Sequence, residues 1–254
     1  MTTPAGSIAL KSGCQAATSD GYADVLATAL HEVLQRLDNA ATNAGRPSVR
    51  LLAVSKTRPA TAVAELARDL ELVQPGRVPA FGENYVQEAM AKQASLAGHA
   101  LEWHLIGHLQ SNKAREAAAA FDWIQTVDRT RLIAALALHR PADRAPLNVL
   151  IQVNIDDEAS KHGCAPVDVP TLAAAIADEP VVLLRGLMAI PRPHADAGQR
   201  RQSFRAMKAL FDDLATAHPH IDTLSMGMSD DIELAIEEGA TMVRVGTALF
   251  GPRE

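Results

Sequence analysis

The sequence predicts an α/β chain folded as a single closed (β/α)8 barrel of the TIM type, preceded by one extra helix. Three observations carry this expectation. Short aliphatic runs alternate with helical patterns about eight times, no break in composition divides the chain, and 254 residues leave room for eight such units but for no second domain. A doubly wound open sheet is the alternative, less well matched by this many units. Residues 1–20 read as a flexible extension and residues 21–254 as the barrel.

The extra helix is expected over residues 22–43, where Val25, Leu26, Leu30, Val33, Leu34 and Leu37 recur at helical spacing and Asp20 is placed to cap it. After Gly45-Arg46-Pro47 the first strand is expected over 49–55, then a helix from Pro59 to residue 72. A loop with Pro75, Gly76 and Pro79 leads into a strand at PAFG (79–82) and a helix over 83–96. The remaining expected strands are 101–107, 123–128, 147–154, 181–190, 223–227 and 242–246. The helices between them are expected over 112–120, 129–139, 167–177, 199–217 and 230–238. Runs such as LLAV and LNVLIQV are aliphatic throughout rather than alternating, as strands covered on both faces require.

Composition removes several function classes. A formal charge of −6 argues against a general nucleic-acid or anionic-membrane surface, and 4% aromatic residues leave little for stacking single-stranded bases. No stretch of about 18 apolar residues occurs, and the N-terminus has no basic segment followed by an apolar core, so neither a membrane span nor a signal peptide is expected. Two cysteines, Cys14 and Cys164, make no disulfide framework and carry no metal-type spacing; a reducing, cytoplasmic location and no metal are expected.

In such barrels chemistry sits at the C-terminal ends of the strands. The first strand ends in Ser55-Lys56-Thr57, where Lys56 either marks the exit into solvent or is held in a cleft for covalent chemistry. Arg244 falls inside VRVG, an apolar strand in which a guanidinium is costly unless it pairs with a barrel glutamate or faces a ligand. The loops after strands seven and eight offer Ser225, Ser229, Gly246 and Thr247, suited to a phosphate cradle; Ser229 could equally be an ordinary helix cap. An interior lysine, an interior arginine and a phosphate cradle together suit a planar, phosphorylated aldehyde held by the lysine amine as a Schiff base.

Six blocks carry a family resemblance: LLAVSKTRP (51–59), FGENYVQE (81–88), WHLIGHLQSNK (103–113), VNIDDEASKHGC (153–164), LRGLMAIP (184–191) and LSMGMSDDIELAIEEGATMVRVGTALFG (224–251). With these, the chain resembles the pyridoxal-phosphate homeostasis protein family, whose barrel is like the N-terminal domain of alanine racemase. The resemblance implies pyridoxal 5'-phosphate (PLP) as cofactor, Lys56 as its Schiff-base lysine and Arg244 facing the pyridine nitrogen. It places Ser225, Ser229, Gly246 and Thr247 near the phosphate, with Asn84 and His104 lining the pocket. It departs in the first twenty residues and in LELVQPGRVPA (70–80), which makes the segment before FGEN longer than usual.

Two classes of function remain. A carrier that buffers PLP and hands it to apo-enzymes needs the cofactor site alone, with Lys56 neutralised by burial and by Arg244. An amino-acid racemase needs a second acid/base group opposite Lys56, for which only His104 or Tyr85 offers itself, and in alanine racemase that group comes from a second domain and partner subunit. The carrier, a monomer, is the expectation. An aldolase-like use of Lys56 without cofactor is a weaker third reading. His108, Lys113 and Lys161 read as solvated loop residues able to extend a positive rim, and RRQSFRAMKAL (200–210) reads as a solvated helix face.

Overall fold

A computed structural model describes residues 19–158, 160–192 and 196–252. Eight parallel strands close into a barrel in sequence order, with β1 (Arg50–Val54) paired to both β2 (Ala80–Glu83) and β8 (Met242–Val245). Between them run β3 (Glu102–Leu105), β4 (Trp123–Val127), β5 (Leu147–Val153), β6 (Val182–Ala189) and β7 (Thr223–Ser225). The helices are α1 (Ser19–Asn43), α2 (Ala60–Val73), α3 (Val86–Ser95), α4 (Ala114–Ala120), α5 (Thr130–His139), α6 (Val169–Ala177), α7 (Ala197–Ala217), α8 (Ile232–Glu237) and α9 (Thr247–Phe250). The expected fold is therefore present, and its element ends shift by a few residues, where local hydrogen bonds rather than hydrophobic pattern decide.

Four differences have physical causes. Helix α1 begins at Ser19, so Asp20 lies inside it rather than at the cap, and Val25 of the expected apolar stripe is 65% exposed. The helix expected from residue 112 opens with a 3-10 turn, Ser111–Lys113, before α4. Helix α8 starts at Ile232, because Asp231 accepts from the Met228 N–H at 2.6 Å and holds residues 228–231 as a turn. Strand β7 stops at Ser225 because the chain turns at Gly227, whose φ of +93° and close approach to α8, 2.5 Å from a built Cβ to the Ala235 Cβ, leave no room for a side chain. The reading of residues 1–18, with Cys14, lies outside the described residues.

The main core lies between the strands and the helices, where Phe81, Leu66, Leu105, Ile124, Phe204 and Ile236 are all fully buried. Helix α1 buries Leu26, Leu30, Val33 and Leu37 against α2, α8 and α9, and closes the β1–β8 seam. Arg58 supports that seam by donating to the Gly251 and Pro252 carbonyls. The barrel interior is different. Two small apolar clusters, Leu52–Ala80–Met242 and Trp123–Leu150–Met188, flank a file of buried polar side chains: His104, Gln125 and Ser225. That file leads to the site.

Candidate functional site

A cavity of roughly 250 Å3 opens at the C-terminal ends of the strands. Lys56 and Val54 reach it from β1 and its loop, Asn84 from β2, Ile106 from β3, Ile190 from β6, Met228, Ser229 and Asp230 from the β7 loop, and Arg244, Gly246 and Thr247 from β8. Six of the eight expected site residues thus share one wall-to-wall space: Lys56, Asn84, Ser229, Arg244, Gly246 and Thr247. Its apolar members Ile106, Ile190 and Met228 carried no sequence signal beyond hydrophobicity.

His104 and Ser225 are not among its lining residues, which corrects the expectation that His104 lines the pocket; Ser225, expected near the phosphate, lies beneath Arg244. Both are fully buried beneath the cavity floor. The Arg244 Nη1 donates to the Ser225 carbonyl (2.9 Å) and to its Oγ (2.8 Å), while Nη2 donates to the Ala189 carbonyl (2.8 Å). Ser225 Oγ in turn donates to Gln125 Oε1 (2.7 Å), and Gln125 Nε2 donates to His104 Nδ1 (2.9 Å). His104 completes the file by donating from Nε2 to Glu102, which also pairs with Arg50 at 2.8 Å. Burial holds the His104 pKa down, so the ring is neutral, with its proton on Nε2 and Nδ1 free to accept. Burial is the largest single influence on the Glu102 carboxyl and raises it, but His104 and the charge of Arg50 together outweigh it and hold the carboxyl below its ordinary range. One directed chain therefore runs from the cavity floor to the base of the barrel.

Arg244 is 4% exposed and its three hydrogen-bond partners are all neutral, so the expected alternative of a paired barrel glutamate is not what the fold provides. Burial pushes its pKa down to about 10, with Asp231 opposing that shift; the guanidinium remains charged at neutral pH. A buried cation with no carboxylate hydrogen-bonded to it is costly, and an anionic or electron-rich ligand in the cavity offsets that cost.

Behind Lys56 stands a second set of charges, absent from the residues expected at the site. Buried Lys92 of α3 donates to the Ser55 carbonyl (2.7 Å), to Glu83 Oε1 (2.7 Å) and to Glu88 Oε1 (2.8 Å). Ser55 Oγ also donates to Glu83 Oε1 (2.6 Å), and the Thr57 N–H donates to Glu88 Oε1 (2.6 Å). Burial holds the Glu83 carboxyl above its ordinary range, although the bonds from Lys92 and Ser55 oppose it. Thr57 has φ +64°, a left-handed conformation that costs a β-branched residue about 1–3 kcal/mol and persists only where surroundings enforce it. The residues on either side of Lys56 are thus both tied down, and half-buried Lys56 is aimed by its neighbours. The i,i+4 pair Glu88–Lys92 on α3 was legible in the sequence; the reach of Lys92 to Glu83 on β2 and to the Ser55 carbonyl was not.

The remaining candidates fall as follows. Asn84 is kept close to the β3 loop by Gly107, where a built Cβ would lie 2.2 Å from the Asn84 carbonyl oxygen. Ser229 does not cap α8, whose cap position is Asp231; its Oγ faces the Ala248 N–H at 3.5 Å and its carbonyl accepts from Arg36 at 3.0 Å. Lys161 is a strut rather than a solvated rim residue, donating to the Ile190 (3.2 Å) and Pro191 (3.0 Å) carbonyls. The longer segment before FGEN touches the opposite end of the barrel, where a larger cavity of about 400 Å3 is lined by Gln74, Arg77, Val78 and Pro79 together with Arg50 and Arg185.

Comparison with known proteins fits this geometry. Residues 28–254 match the family model described as alanine racemase, N-terminal domain. The chain is 50% identical over 231 residues to a protein of Pseudomonas aeruginosa named pyridoxal phosphate homeostasis protein, covering 90% of this chain and 96% of that one. A protein of the same name from Escherichia coli K12 is 50% identical over 230 residues, covering 89% and 95% respectively. PipY of Synechococcus elongatus, solved with PLP bound, superposes with a TM-score of 0.75 at 36% identity, over 89% of this chain and 100% of that chain. On barrel, cavity and relatives together, the chain belongs to the pyridoxal phosphate homeostasis protein family.

Proposed function

We propose that this chain binds PLP in the cavity between Lys56 and Arg244 and takes part in cellular PLP homeostasis as a cytoplasmic, monomeric carrier that hands the cofactor to apo-enzymes. The observation that carries this reading is a buried guanidinium with only neutral partners sharing one cavity with a lysine whose backbone neighbours are both pinned. The relatives' names and the PLP-bound PipY structure support it. A space of roughly 250 Å3 is just below the about 300–1,000 Å3 of drug-sized sites, which suits one substituted ring with a phosphate arm.

The cofactor, when bound, supplies a reactive aldehyde and a ring able to delocalise negative charge. Everything else is the chain's contribution. Lys56 would hold the aldehyde, Ser229, Thr247 and the backbone around Gly246 would receive the phosphate, and Asn84 with the apolar walls Ile106 and Ile190 would enclose the ring. Arg244 offers donors only and keeps its charge, so a ring nitrogen facing it would stay unprotonated, which would weaken the ring as an electron sink.

Racemase chemistry asks for a proton-transferring group on the face opposite Lys56. Among the described residues lining the cavity, Asp230 is the titratable group besides Lys56 and Arg244. His104 lies below the floor, and Tyr85 lines a neighbouring depression with His108. The geometry therefore favours carriage over turnover.

The decisive experiment is the absorption spectrum of the purified full-length protein, incubated with PLP and freed of excess by gel filtration, for the natural chain and for Lys56→Ala. The natural chain should retain a near-ultraviolet or visible band that borohydride removes, and Lys56→Ala should lose it. Equal retention by both proteins would sink the reading. Turnover of alanine or serine enantiomers at roughly one per second or faster, read by chiral chromatography, would move the protein to the enzymes.

A further inference from the structure

His108, Asp128 and His162 come from three different loops at the top of the barrel: after β3, at the end of β4 and after β5. Each offers one ligand atom, and these atoms all lie within 4.8 Å of one another. The two imidazoles stack with centroids 3.7 Å apart and planes 14° from parallel, and His108 Nδ1 lies 3.9 Å from Asp128 Oδ2. Arg129 occupies the other carboxylate oxygen, Oδ1, and is itself anchored by donating to the Leu109 carbonyl (2.8 Å) and Ser111 Oγ (3.2 Å). Oδ2 is thereby turned toward the imidazoles, as an outer-sphere partner orients a ligating carboxylate.

Two imidazoles paired with one carboxylate are the donor set that borderline divalent ions take. We propose that His108, Asp128 and His162 bind one such cation, Zn2+ being the representative case, with water completing its shell. Zinc bonds of about 2.0–2.1 Å in tetrahedral geometry put donor atoms about 3.4 Å apart, so the side chains must close by no more than about 1.4 Å, and both histidines are exposed enough to rotate.

The bound ion would clamp three loops together. His162 follows Lys161, whose amine is tied to the Ile190 carbonyl, and Ile190 lines the Lys56–Arg244 cavity, so the clamp steadies one wall of that cavity. The site shares no residue with the cavity, and the proposal stands or falls apart from the PLP reading.

The full-length chain, stripped by a chelator, is titrated calorimetrically with Zn2+ and, for a spectroscopic readout of donor type, with Co2+. One ion per chain is expected at micromolar protein. His108→Ala, His162→Ala and Asp128→Asn should each weaken binding by at least about tenfold, the scale found even for outer-sphere partners of metal ligands. The exposed pair His218 and His220, 6.0 Å apart at the other end of the barrel, gives the control: His218→Ala/His220→Ala should change nothing. Absence of binding, binding retained by the His108→Ala/His162→Ala double variant, or loss in the control would each overturn the proposal. Circular dichroism checks the fold; His108→Gln, which leaves the Asp128–Arg129 pair intact, decides the matter should Asp128→Asn unfold.

Discussion

At its two ends the barrel handles charge in opposite ways. The base holds the larger cavity, about 400 Å3, and three arginines line it. Two of these are already matched: Arg50 with Glu102 at 2.8 Å, and Arg185 with Asp222 and with the Asn148 side chain at 3.0 Å, while its guanidinium also lies over Trp123. The top cavity is smaller, about 250 Å3, yet Arg244 enters it buried and bonded only to neutral groups. Size alone would choose the base. Charge without a hydrogen-bonded counter-ion chooses the top, because a desolvated guanidinium that no carboxylate bonds directly is stabilised by whatever electron-rich group meets it there. The file His104–Gln125–Ser225 joins the ends, so the same polar chain that finishes in a matched pair at the base finishes in an unmatched cation at the top.

The Glu83–Lys92 pair tests this contrast most severely, because it sits at the top but is matched internally like the base. Glu83→Ala leaves buried Lys92 short of a partner and should cost about 3–5 kcal/mol of stability, read as a shifted urea midpoint. A cost under about 1 kcal/mol would mean the pair does not hold the Lys56 segment. Next come the arginines. Arg244→Leu should weaken PLP retention by at least about tenfold, the worth of a charge-assisted hydrogen bond, whereas Arg185→Leu, half-exposed and screened, should cost no more than about 1 kcal/mol of stability and leave PLP retention unchanged. Equal effects on PLP would erase the distinction between the ends.

The connecting file gives a pH signature. The folded His104 pKa lies below its ordinary value of 6.5, so below that pH the unfolded chain binds the proton more readily than the native one. Stability is therefore fullest above about pH 6.5 and falls as pH drops toward the depressed native value, by up to about 1.4 kcal/mol per pH unit. Thermal melts of the natural chain and of His104→Gln should differ in that slope; identical slopes would show that the ring is protonated in the native state. The smallest effect is expected at Ser229→Ala, a loss of about 0.5–1.5 kcal/mol in PLP affinity by equilibrium titration, with an unchanged melting temperature.

Much of this was legible in one dimension, and the reasons are specific. Lys56 stands out because LLAV must be a covered strand and a lysine at its end breaks the pattern; Arg244 stands out for the same reason inside VRVG. The failures also share a reason. Strand periodicity says that neighbours alternate faces, but not at what depth an inward side chain stops, so His104, expected to line the pocket, lies under it. Ser229 read as a possible cap because a serine before two aspartates looks like one, until Asp231 took the position.

The sequence by itself determined the barrel, its extra helix and the strand ends at which a ligand could be held, because those follow from local hydrophobic period and from the expense of burying charge. The tertiary structure alone decided which charges are matched. Lys92 reaches Ser55 and Glu83 from the next helix, and His108, Asp128 and His162 meet across 54 positions of chain, from 108 to 162. Closing a barrel fixes such distances through strands that are not adjacent in sequence, and no local pattern encodes them.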